Sequence, residues 1–146
     1  MNRGIRGVLA GAALLVPLAS AHAASCTVSA TGVAFGTHTF LDTSPSDSTG
    51  TITVSCDAVA AYSIGLVGGF TGTFTRAMTS GSNQLGYNLF TDATRSVVWG
   101  DGTGGSARVS TSGTFGASHT VYGRIPSGQN VPAGAYSDAL IVRVEF

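Results

Sequence analysis

The sequence predicts an all-β fold, a sandwich of short antiparallel strands fastened by one disulfide. Three observations carry this. Apolar residues recur at every second position in several short runs, the period of a strand with one face inside. Past the N-terminal leader no stretch of about ten residues repeats apolar side chains at helical spacing. Clusters of Gly, Ser, Asp and Pro divide the runs into pieces of strand length.

The elements follow in order. Arg3 and Arg6 form a short basic region, an apolar run covers 8–16, and Ala21-His22-Ala23 fits a signal-peptidase site. Residues 1–23 are therefore expected to be a secretory signal peptide and 24–146 one exported domain. The apolar run is too short to anchor in a bilayer. Lipidation of Cys26 is disfavoured, because Ala23 rather than Leu stands three residues before it. Cys26-Thr27-Val28 opens the domain, and Val33 and Phe35 alternate around Ala34. Residues 42–50, with Pro45 inside, read as a loop. In Thr51-Ile52-Thr53-Val54-Ser55-Cys56, Ile52, Val54 and Cys56 share one face, so the cysteine points inward. Tyr62, Ile64 and Leu66 alternate and end at Gly68-Gly69. Phe74 and Met78 flank a short strand or loop. Leu85, Tyr87 and Leu89 make another inward row, and Val97-Val98-Trp99 a short apolar strand. Residues 100–105 are a turn, Val121, Gly123 and Ile125 alternate up to Pro126, and Val131-Pro132-Ala133-Gly134 is a second turn. Residues 136–146 form the last strand, with Leu140, Val142, Val144 and Phe146 on one face. The expectation is six to eight short strands in one domain.

Composition narrows the function. The chain has no Lys, and charged residues make up 10% of it, against about 25% in an ordinary soluble protein. Without Arg3 and Arg6, five arginines face seven acidic residues, a balance that argues against nucleic acid. Low charge and abundant Thr and Gly suit packing against copies or neighbours. An even cysteine count in an exported chain reads as a Cys26–Cys56 disulfide, and two thiolates make a poor zinc site.

Residues able to do chemistry are sparse. His38 and His119 are the only histidines after the leader, no G-x-S-x-G elbow is present, and Glu145 is the one Glu. The Gly-rich turn at 100–105 lacks the acidic ladder of a calcium loop and the Lys of a phosphate loop. No catalytic residue, cofactor, metal or small-molecule substrate is expected. Trp99, Tyr87, Tyr122 and Tyr136 invite a sugar platform, but aromatics on alternating strands more often pack in a core.

Several separated blocks resemble the spore coat protein U domain family, which is related to the subunits of archaic chaperone–usher pili. They are Cys26-Thr27-Val28-Ser29-Ala30, Thr51-Ile52-Thr53-Val54-Ser55-Cys56, Tyr87-Asn88-Leu89-Phe90-Thr91-Asp92, Val98-Trp99-Gly100-Asp101-Gly102 and Val121-Tyr122-Gly123-Arg124-Ile125-Pro126. The run from Gly128 through Ala133-Gly134-Ala135-Tyr136-Ser137-Asp138 completes them. The resemblance implies an incomplete immunoglobulin-like (pilin-type) β-sandwich, filled first by a strand from a periplasmic chaperone and later by a neighbouring subunit. The implied partners are that chaperone, an outer-membrane usher and other pilus or coat subunits. The implied place is a surface fimbria or coat reached through the periplasm, with a role in adhesion or biofilm formation. The partner strand is expected against Leu140, Val142, Val144 and Phe146, since the chain stops there and leaves an apolar edge to cover. Only Ala24 and Ser25 precede Cys26 after the expected cut. The expectation is therefore a chain that donates no strand: a tip subunit that adheres to a surface or glycan, a coat component, or a self-completed secreted protein.

Overall fold

The computed structural model describes residues 23–68 and 76–146. The expected leader, apart from Ala23, and Phe74 lie outside them. Six strands make up the regular structure: β1 (Cys26–Thr31), β2 (Ser46–Val67), β3 (Arg76–Ser80), β4 (Asn83–Phe90), β5 (Val109–Ile125) and β6 (Ile141–Glu145). There is no helix among the described residues. All pairings between strands are antiparallel, in the order β1-β2-β5-β4-β3, with β6 also on β2.

The expected strands at 51–56 and 62–66 are parts of one strand, the 22-residue β2. Its register with β5 shifts between Ser55 and Ala60 and again between Ala60 and Tyr62. Such bulges bend a strand while its pairing continues on either side. The first half of β2 lies between β1 and the end of β5, and the second half between β6 and the start of β5. One curled sheet thereby supplies both walls of the core. The loop expected at 42–50 is shorter than foreseen, because β2 begins at Ser46.

Alternation decides what is inside. Ile52 and Val54 before the bulge, and Tyr62, Ile64 and Leu66 after it, join Met78, Leu85, Tyr87, Leu89, Trp99, Val121 and Ile125 in one core. Burying each large apolar side chain is worth about 1.5–3 kcal/mol. Residues 97–99, expected as a strand, make only isolated bridges, Val98 to Phe90 and Trp99 to Ala107. The turn at 100–105 forms as expected: the Asp101 carboxylate accepts from the Thr103 amide and hydroxyl, and Gly102 has φ +88°. Glycine at 123 has a packing cause, because Val33 and Phe35 rest on it. A Cβ there would meet each of them at 2.7 Å.

Cys26 and Cys56 are register partners on β1 and β2, and they form the expected disulfide. It ties the first strand to its single neighbour among the described residues.

Candidate functional site

β1 and β6 occupy the same edge of β2 on opposite sides of its bend, β1 against 51–56 and β6 against 63–67. The bend separates them, and a groove of about 310 Å³ opens between. One wall is the end of β1 and the segment after it, from Ala30 to Val33 with Phe35. The other is the chain leading into β6: Tyr136, Ser137, Asp138, Leu140 and Val142. The floor is core, including Ile52, Leu66, Met78, Leu89 and Val121. Among the described residues, no strand pairs with the outer edge of β1.

The second wall is anchored at two places. Ser137 exchanges backbone hydrogen bonds with Thr79 of β3, at 2.9 and 3.1 Å. Four residues on, β6 pairs with Ser63–Val67 of β2. The C-terminal segment therefore joins the β3 end of the curled sheet to the β2 edge, and this fixes the width of the groove.

Of the four residues expected to meet a partner strand, Leu140 and Val142 line the groove. Val144 pairs with Ile64 and packs against the core beyond the groove. Phe146 is 69% exposed, with its ring edge-on to Tyr62 at 6.3 Å.

Sequence reasoning passed over the polar part of the site. Arg76 is 0% exposed, and its guanidinium donates to Asn88 Oδ1 at 3.0 Å and to the Trp99 carbonyl at 2.7 Å. Burial pulls its pKa below the ordinary value, while Tyr87 and Asp138 act the other way. Its position two residues before Met78, on the inward period of a strand, was the signal available. The Tyr87 hydroxyl donates to Asp138 Oδ2 at 2.6 Å, on the groove wall. Burial first, then this hydrogen bond, holds the phenol well above its usual range.

His38 and His119 make no Ser–His–Asp set among the described residues. His38 Nδ1 is 3.4 Å from Ser46 Oγ and 3.8 Å from Asp42 Oδ2. A Ser–His–Asp relay needs its serine and its carboxylate on opposite ring nitrogens, and here both face the same one. His119 Nε2 lies 3.1 Å from the Tyr62 hydroxyl, and burial lowers its pKa. No group of three or more His, Cys, Asp or Glu among the described residues could hold a metal ion. The four aromatics form no sugar platform, because Trp99 and Tyr87 are core residues.

A sequence profile of the Spore Coat Protein U domain matches residues 12–143. The chain belongs to the Spore Coat Protein U domain family. Protein U of Myxococcus xanthus is 35% identical over 65 residues, which are 44% of this chain and 36% of that protein. Among solved structures, the chain is similar to one in the CsuC–CsuE chaperone–tip adhesion subunit pre-assembly complex, from the archaic chaperone–usher Csu pili of Acinetobacter baumannii. That match has a TM-score of 0.60 and 28% identity, over 84% of this chain and 40% of that chain. The chain thus spans well under half the length of either relative. Family membership and fold agree on an all-β, pilin-type domain with one disulfide.

Proposed function

We propose that this family member is a structural subunit of a bacterial surface fimbria or coat, assembled by β-strand complementation. It is exported through the periplasm, captured there by a chaperone and passed to an outer-membrane usher. Another subunit's strand then replaces the chaperone's. The assembled structure serves adhesion or biofilm formation, and the domain is not an enzyme. The observation that carries this reading is the groove between β1 and the C-terminal segment. It is open to the core and flanked by an edge with no partner strand among the described residues. An extended segment laid there would gain backbone hydrogen bonds from the edge and burial for alternate side chains. An uncovered edge beside apolar side chains invites aggregation, which a chaperone prevents.

The test is co-expression in a bacterial periplasm with a tagged archaic-type chaperone. Leu140→Thr with Val142→Thr should cut co-purification severely, and Thr103→Ala in the distant turn should leave it intact. Equal capture of both variants, each verified as folded by circular dichroism, would remove the groove from the account.

A tip position is a second reading, favoured by the adjacent Phe40 and Leu41, which are 57% and 74% exposed on the loop before β2. A tip subunit should lose attachment to surfaces when both become Ser, with chaperone capture unchanged. A shaft or coat subunit should lose neither.

A further inference from the structure

The groove carries a charged side chain at one place among its described lining residues. Asp138 is the one carboxylate among its described lining residues, and no Arg or His lines it. One oxygen of Asp138 accepts from the Tyr87 hydroxyl at 2.6 Å, and no other hydrogen bond reaches this side chain among the described residues. The backbone next to the residue is held in place. Its neighbour Ser137 is pinned to Thr79 by two backbone hydrogen bonds, and the Tyr136 hydroxyl donates to the Pro132 carbonyl at 2.7 Å. Behind Tyr87 lies Arg76, whose guanidinium is hydrogen-bonded to Asn88 and the Trp99 carbonyl and attracts Asp138 through space without a direct ion pair.

An occupant that covered Asp138 with an apolar side chain would strip water from a carboxylate and supply nothing in return. Such burial is costly, whereas an ammonium or guanidinium placed there forms a charge-assisted hydrogen bond as the strand covers this exposed carboxylate. Alternate residues of a strand face one side, so the positions two before and two after would meet apolar wall and floor. We propose that the strand filling this groove carries a Lys or Arg opposite Asp138, flanked at those positions by apolar side chains. This rests on the groove being the strand-acceptor site. It adds a register mark: one charge in an otherwise uncharged groove penalises a strand slipped by two residues.

The experiment uses the purified full-length chain and a panel of fluorescent alternating Val–Thr peptides long enough to span the groove. Each Val in turn is replaced by Lys or by Leu. Expected is one position where Lys binds at least about tenfold tighter than Leu, and loss at every other groove-facing position. Asp138→Asn should erase the gain at that position, and Asp138→Leu should reverse it to favour Leu. Tyr87→Phe separates the roles, since removing the donor should leave the preference for Lys in place. If the peptides bind and Lys weakens them everywhere, or the gain survives Asp138→Asn, this inference is wrong while the groove reading stands. If no peptide binds at all, the groove reading fails and this one with it.

Discussion

Trp99 donates its indole N–H to the Ile64 carbonyl at 3.0 Å, and neither residue is exposed to solvent. This contact ties the loop after β4 to the second half of β2, the half that carries β6. Replacing Trp99 by Phe removes the donor from a buried acceptor and leaves a void. The expected loss is about 1–3 kcal/mol from the hydrogen bond, with a further cavity cost. Urea unfolding followed by circular dichroism measures it, and an unchanged midpoint would contradict the burial described.

The Cys26–Cys56 bridge closes a loop with a sequence separation of 30. In the chain-entropy account, replacing both cysteines with Ser should cost about 3–4 kcal/mol. Because β1 has β2 as its one described neighbour, the loss should fall first on β1 and thus on one wall of the groove. Amide exchange should accelerate over Cys26–Thr31 before it does over β5.

Stability should fall in two stages as pH is lowered. Burial holds the His119 pKa below its unfolded value, so the folded state resists protonation. Its contribution is complete above the unfolded pKa of about 6.5 and declines as pH falls below that. Asp47 is held below the usual carboxylate range first by its hydrogen bond with Arg124, and Asp92 first by the Thr94 hydroxyl. Their contributions are present above the unfolded value near about pH 4 and are lost below it. Thermal melts between pH 3 and 8 test this. His119→Gln should flatten the upper stage and leave the lower one.

Gly123→Ala places a methyl group 2.7 Å from both Val33 and Phe35, which also line the groove. Overpacking of this kind costs about 1–3 kcal/mol. It should weaken partner binding as well, because it displaces the wall. Gly32→Ala is the control for stability: a Cβ there meets nothing within 4 Å, and its effect on folding should be small.

Much of the fold was legible because alternation is a local property. Ile52 and Val54, Leu85 with Tyr87 and Leu89, and the C-terminal row through Val142 all stood out in the residue pattern. The continuity of β2 was not legible. A bulge follows from how β5 pairs with it, and the run Asp57-Ala58-Val59-Ala60-Ala61 interrupts the alternation of large apolar residues and looks like a break. The length of β5 was hidden for a related reason, since its first half is rich in Ser, Thr and Gly with little alternation. The inward period of Leu140 and Val142 was legible, while the place of Asp138 on the groove wall was not. Its meaning depends on Tyr87, which is 51 residues away in sequence, and only the tertiary fold brings the two together. Phe146 continues the row in sequence but lies beyond the last residue of β6, where pairing no longer holds it inward.

The central claim is that a partner strand occupies the groove between β1 and the C-terminal segment. Hydrogen–deuterium exchange of the chain, alone and in complex with a periplasmic chaperone, tests it most directly. The account predicts slowed exchange in the complex over Cys26–Thr31 and over 136–142 together, with the turn at 100–105 unchanged. Protection that spared both walls and fell instead around the exposed Val59 and Phe115, at the bend of β2 and β5, would contradict it.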